Sequence, residues 1–304
     1  MTLVYKILWI DDNAPFFRNN RNYIIEHLED KGFDVELTEY NSFQKFIEIG
    51  NIETQQREYD LFLIDLNLDH GNTGDQIISQ IRTNHVLTDV IFYSTHLRDV
   101  RQKIIDNAME GVYITSRSEF EDKVTDVIDV TIRKVQDVNN LRGLIMAEVA
   151  ELDQLKKDII IKYAEDNSNN DLKKYIKEKI FSEFKTDSDE VDYLIKDDDS
   201  YKSMDLNTFI ENPIFDSYKK ARTVFKVKKI KCNEINFIFD EYYRDVIKKR
   251  NVLAHEKEQS RKNGTKYLNY MDGTPLEFDE EHCIQIRKDI KKYKKVLEDI
   301  EETL

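Results

Sequence analysis

The chain is short of the residues that interrupt regular structure, with 3 prolines and 8 glycines among 304 residues. So few breakers exclude a loop-dominated or collagen-like protein and favour long helices. Two cysteines, Cys232 and Cys283, are too few for a disulfide framework and lack metal-ligand spacing. That excludes a cysteine-based metal module and points to a reducing compartment. Charges break up every apolar stretch, so neither a secretory leader nor a membrane span is expected, and the location implied is cytoplasmic. Charge itself is abundant: 35% of residues carry one, for a net of −14. The length suffices for two domains with real cores.

The acidity is uneven. Residues 1–140 carry 14 basic against 25 acidic side chains, whereas residues 218–262 carry 14 basic against 6 acidic. Global acidity disfavours indiscriminate polyanion binding, but the basic stretch could face a phosphate backbone or form a solvated helix face.

Five short apolar runs occupy the first third: Val4–Ile10, a run around residues 34–37, 59–66, Val90–Ser94 and 111–115. Helix-like stretches separate them, which predicts an α/β unit with a doubly wound five-stranded parallel sheet. Ligands of such sheets sit beyond the carboxyl ends of the strands. Asp11, Asp12, Asp65 and Ser94 all fall there. Carboxylates converging on one crevice repel, and a hard cation relieves them. Mg²⁺ held by Asp11, Asp12 and the Asn67 backbone carbonyl would leave Asp65 as a nucleophile toward a phosphoryl group.

These segments, KILWIDD, LFLIDLNL and VIFYST, resemble a response-regulator receiver domain over residues 1–125. The resemblance implies a flavodoxin-like fold with Mg²⁺ at Asp11, Asp12, Asp65 and Asn67. It also implies phosphorylation of Asp65 by a histidine kinase or phosphotransfer protein, with Ser94 following the phosphoryl oxygen and Tyr113 changing rotamer. Receivers carry a lysine after the fifth strand; here the residues are Thr115, Ser116 and Arg117. Arg117 is the candidate replacement cation, one or two positions late. A phosphorylated switch and a receiver fixed in one state both remain open.

From residue 119 to 163 there is no proline and a single glycine, Gly143, which predicts one long connecting helix whose C-terminal part opens the next domain. A seven-residue series through Val124, Val138, Ile145, Leu152 and Ile159 favours pairing, either in a homodimer or against the chain's own second domain. Residues 164–205 read as polar loops around a short helix, Leu172–Phe184. Further helices are expected over Pro213–Val227, Asn233–His255 and Glu280 to the end. A β-hairpin turning at Asp272-Gly273 lies between the last two. Residues 137–304 thus read as an all-α, helical-bundle domain.

Within it, RNVLAH places Asn251 and His255 at i and i+4 on one helical face, with Arg250 one step around. Histidine as a residue type can move protons at neutral pH, and arginine can stabilise charge on a phosphorane. RNA brings its own nucleophile, the 2′-hydroxyl, so no metal or other cofactor is required. The motif and its helical setting resemble the HEPN superfamily. The resemblance implies a homodimer in which two copies of Arg250, Asn251 and His255 cut RNA and leave a 2′,3′-cyclic phosphate. Combined with a receiver, it points to a signalling effector in stress response or phage defence. The rival readings are a phosphorylation-dependent adaptor without enzymatic activity and an RNA- or nucleotide-binding protein.

Overall fold

The computed structural model describes residues 3–48, 58–135, 138–165, 174–176, 206–213, 215–262 and 264–304. The chain divides into two compact units, Met1–Leu141 and Arg142–Leu304.

The first unit alternates strands and helices: β1 (Val4–Ile10), α1 (Ala14–Asp30), β2 (Asp34–Tyr40), α2 (Phe43–Glu48), β3 (Leu61–Asp65), α3 (Gly74–Thr83), β4 (Val90–Ser94), α4 (Leu97–Asp106), β5 (Val112–Ser116) and α5 (Phe120–Val135). All strands are parallel, in the order β2-β1-β3-β4-β5. This is the expected doubly wound sheet. Every residue of β3 and β4 is buried, because helices cover both faces of the central strands, while edge strand β2 is half exposed. Side chains alternate between faces. Leu8, Ile10, Phe62, Ile64 and Phe92 pack with Ile77, Ile78 and Val100 on one side. On the other, Trp9 meets Phe17 and Phe120 at ring-centroid distances of 4.7 and 5.4 Å. The strand order reverses between β1 and β3, so their carboxyl ends, with Asp11 and Asp65, open on a ligand crevice.

The second unit contains α6 (Val138–Glu165, its first turn belonging to the first unit), α7 (Leu206–Ile210), α8 (Ser217–Lys231), a helical run from Phe239 to His255, and α11 (Glu280–Thr303). The run has three parts: α9 (Phe239–Tyr242), a π-helical segment (Tyr243–Lys248) and α10 (Lys249–His255). Three short antiparallel strands, β6 (Gln259–Ser260), β7 (Lys266–Asn269) and β8 (Pro275–Glu277), precede α11. The Asp272-Gly273 hairpin forms, with Gly273 at φ 81° and Tyr270 N–H donating to the Thr274 carbonyl at 2.8 Å. Phe237, Tyr242 and Tyr293 form the aromatic centre of this unit, with Tyr242 and Tyr293 5.0 Å apart. Lys156 is wholly buried among them. Its ammonium donates to Tyr242 Oη at 3.0 Å and Ser217 Oγ at 3.0 Å and pairs with Asp153 at 2.6 Å. A buried lysine with three partners is satisfied in place, which suits it to locking three helices together.

Several expectations are corrected. Pro213 does not open α8; Asp216 does, its side chain accepting from Lys219 N–H as an N-cap. Residues 233–238 are not helical despite their apolar spacing. Short turn bonds, Ile235 N–H to Cys232 O and Phe237 N–H to Ile235 O, replace the helical ladder, and Lys228 fixes the exit by donating to the Asn233 carbonyl at 3.0 Å. The connecting segment appears as α5 and α6, with residues 136–137 outside the described residues. The short helix expected at Leu172–Phe184 also lies outside them, apart from 174–176, which are helical. The seam positions Ile145, Leu152 and Ile159 are already buried within the single chain, so a homodimer needs another surface. Among the described residues, no helix is long and apolar enough to cross a membrane.

Candidate functional site

Asp11 directly follows β1, Asp65 ends β3, Ser94 ends β4, and Arg117 opens the 3-10 turn after β5. Parallel register brings these ends together, with Asp65 opposite Tyr93 and Ser94 opposite Ser116. Asp11, Asp65 and Ser94 are buried, and Asp12 is exposed. The Asp11 carboxylate accepts from Asn13 N–H at 2.8 Å, Tyr93 O–H at 2.8 Å and Arg117 Nη2 at 3.0 and 3.1 Å. Tyr93 in turn accepts from Trp9 Nε1–H at 2.7 Å. The Asp65 Oδ2 atom accepts from Asn67 N–H at 3.0 Å. Its Oδ1 atom lies 3.2 Å from Arg117 Nη2 yet has no aligned hydrogen bond. Ser94 Oγ accepts from Asn67 Nδ2 at 3.2 Å and from His96 N–H at 3.4 Å.

Burial and the neighbouring Asp11 push Asp65 up to about 7, against the pull of Arg117. Asp11 is also raised, by burial, although Asn13, Tyr93 and Arg117 oppose the shift. Burial pulls Arg117 down, but Asp65 and Asp11 together carry it above its ordinary value. The Arg117 guanidinium lies 4.8 Å over the Phe16 ring, so it is held by two carboxylates and an aromatic face.

One oxygen each from Asp11, Asp12 and Asp65 lie within 4.8 Å of one another. An all-oxygen carboxylate set fits a hard divalent ion such as Mg²⁺. Asn67 reaches the crevice through its N–H and side-chain amide. Tyr113 lies on edge strand β5 and is 38% exposed. Gly74 closes the floor: a Cβ there would stand 2.2 Å from the Asp65 carbonyl oxygen and 2.7 Å from Ile64 Cγ2.

In the second unit, Asn251 and His255 are exposed on α10 and line one cleft of about 260 Å³. Arg250 does not line it; its Nη1 donates to Asn251 Oδ1 at 3.1 Å, and its Nε is buried without a hydrogen bond among the described residues. Tyr243, Val252 and Glu256 complete the helical wall, and Tyr270, Met271 and Asp272 of the hairpin turn form the opposite wall. Lys248 joins the two by pairing with Asp272 at 3.2 Å and sitting 4.5 Å over the Tyr270 ring.

Sequence reasoning missed Tyr93, Trp9 and Phe16 as supports of the acidic crevice, and the hairpin turn as a wall of the cleft. Alternation along β1 could have put Trp9 on the face of Asp11, but the placement of Tyr93 depends on the register between strands.

No protein-family description matches this chain, and no curated protein matches it either. Solved structures do, over the N-terminal part. A receiver protein from Sinorhizobium medicae is 18% identical, covers 42% of this chain and 97% of its own, and superposes with a TM-score of 0.31. The Francisella response regulator 1452 receiver domain is 18% identical over 42% of this chain and 98% of its own, at 0.28. The response regulator DrrB of Thermotoga maritima, an OmpR/PhoB homolog, is 15% identical over 41% of this chain and 53% of its own, at 0.29.

Proposed function

We propose that Asp65 accepts a phosphoryl group from a histidine kinase or phosphotransfer protein, and that this event controls a metal-independent ribonuclease centred on Arg250, Asn251 and His255. The observation that carries the switch is the convergence of Asp11, Asp12 and Asp65 within 4.8 Å beside a hydroxyl and a guanidinium. Asp11 and Asp12, with Asp65, are the residues that would hold Mg²⁺, which supplies charge neutralisation when bound. Arg117 favours the ionised form of Asp65, which attacks phosphorus in line, the donor nitrogen leaving as the new P–O bond forms. Ser94 exchanges its contact with Asn67 for a phosphoryl oxygen. Repositioning of Asn67, Ser94 and Tyr113 is how the state of the crevice reaches the rest of the sheet.

In the output unit, His255 takes the proton of an RNA 2′-hydroxyl as that oxygen attacks the adjacent phosphorus. The 5′-oxygen leaves and takes a proton from water, giving a 2′,3′-cyclic phosphate. Asn251 orients the phosphate, and Arg250 acts on the developing charge once a second copy closes over it. The placement of Asn251 and His255 on one cleft wall supports this half of the reading.

Incubation with an acyl-phosphate donor and Mg²⁺ should add one phosphoryl group by intact mass to the wild-type chain and none to Asp65→Asn. A wild-type chain that stays unlabelled defeats the switch. Total RNA with EDTA should be cut by wild type and spared by His255→Ala; equal cutting by both defeats the ribonuclease. A second reading, a receiver fixed in one state, draws on Arg117 already bridging Asp11 and Asp65. It requires that Arg117→Lys gain phosphoryl uptake where wild type has none.

A further inference from the structure

We propose that the cleft beside His255 is a recognition pocket for a single unpaired guanine, which would set where an RNA strand is cut; this rests on the ribonuclease reading above. The cleft holds about 260 Å³, just under the roughly 300 Å³ at which drug-sized pockets begin. That is room for one nucleoside and not for a run of stacked bases.

Its walls suit a base. Tyr243 of the helical run and Tyr270 of the hairpin turn both line the cleft, and Met271 at the turn tip is fully exposed. An exposed methionine beside an aromatic side chain is an adaptable apolar cover for a flat ring. Lys248, which also lines the cleft, sits 4.5 Å over the Tyr270 ring. Aromatic platforms of this kind bind any base, since every base has a π-face, so selectivity must come from the polar groups.

Two carboxylates line the cleft, and only one is free to read a base edge. Asp272 is committed: its Oδ1 accepts from Thr274 N–H at 2.9 Å and Oγ at 2.5 Å, and its Oδ2 pairs with Lys248. Among the described residues, the Glu256 carboxylate has no hydrogen bond or ion pair. Its backbone is fixed, however, with N–H donating to the Val252 carbonyl at 3.0 Å and its own carbonyl accepting from Arg142 Nη2 at 2.5 Å. A free carboxylate on an anchored backbone accepts two parallel hydrogen bonds. Guanine alone offers the matching pair, adjacent N1–H and N2–H₂ donors on its Watson–Crick edge. Adenine and cytosine place a ring acceptor beside their amino group, and uracil flanks its single N–H with two carbonyls. Mismatched acceptors facing a carboxylate repel it, which excludes more strongly than a missing contact does. A guanine bound here carries its ribose toward Asn251 and His255 on the same wall, so cleavage falls on the 3′ side of guanosine.

The test titrates the full chain with guanosine 3′-monophosphate and the other three nucleoside 3′-monophosphates, following tyrosine fluorescence or amide NMR shifts. The guanosine nucleotide should bind roughly tenfold or more tighter than the other three, a preference Glu256→Gln should erase. Tyr270→Ala and Met271→Ser should weaken all four nucleotides alike, and His255→Ala should retain the preference. Circular dichroism matching wild type confirms that each variant is folded. No saturable binding, equal binding of the four nucleotides, or an unchanged preference in Glu256→Gln overturns the pocket. Sequencing of cleaved RNA separates the two readings. Cutting without enrichment of guanosine defeats the pocket and leaves the ribonuclease standing; guanosine-selective binding without any cutting does the reverse.

Discussion

The acidic crevice and the RNVLAH cleft are built in opposite ways. The crevice draws Asp11, Asp65, Ser94 and Arg117 from four strand ends far apart in the chain and buries most of them. The cleft draws on one helical run and one hairpin turn, and most of its polar groups face water. Buried charges at 3 Å govern one another's protonation, as Asp11, Asp65 and Arg117 do here. Solvent-facing groups act nearly singly. The crevice should therefore respond to any change as a unit, and the cleft residue by residue.

The largest contrast is expected at two glycines. At Gly74 a methyl group collides with the Asp65 carbonyl and Ile64, so Gly74→Ala should destabilise by on the order of 2–3 kcal/mol through overpacking. At Gly273, where φ is 81° and nothing lies within 4 Å of the added atom, alanine meets only backbone strain, about 1 kcal/mol. Urea midpoints of the two variants decide it, and equal losses would remove the contrast.

Next comes protonation. Removing the like charge with Asp11→Asn should bring Asp65 down from about 7, and removing the cation with Arg117→Met should raise it; carboxyl NMR titration in EDTA reads both. Because the folded state holds the Asp65 proton to a higher pH than the unfolded chain does, this group's contribution is greatest below the ordinary carboxylate range. It fades as pH rises to about 7. Wild type should therefore lose stability relative to Asp65→Asn across that window, and parallel curves would contradict the assignment.

The smallest effect is one of additivity. Stability changes of Asp11→Asn and Arg117→Met should fail to add by roughly 1 kcal/mol or more, whereas Asn251→Ala and Met271→Ser should add within about 0.5 kcal/mol. A non-additive cleft would mean that its walls are coupled after all.

Much of the first unit was legible because apolar runs of period two end in aspartates. β1 and β4 match their expected limits residue for residue, and Asp65 falls at the end of β3. The contacts that matter there were not. Arg117 reaching Asp11, and Tyr93 linking Trp9 to Asp11, depend on register between strands more than 80 residues apart, which no local pattern encodes. In the second unit, Ile235 and Ile238 imitate helical spacing but lie outside any helix, Ile238 as the N-cap of α9. The cleft's far wall was invisible for a related reason. The turn at Tyr270 to Asp272 was read correctly as a turn, while its position against α10 is a matter of tertiary packing.

The π-helical segment Tyr243–Lys248 sits between the buried Tyr242 and the exposed Asn251. A π turn closes from i to i+5, and so carries one residue more than an α turn. Relaxing all six residues to α geometry, with none removed, would overwind the run by about one residue's 100° and swing Asn251 and His255 around the axis, whereas deleting one of the six would let it become α with the motif nearly in phase. The winding of this stretch is therefore what sets the motif against its cleft: the run can lose one residue and keep its phase, but it cannot keep all six and turn regular without moving the motif.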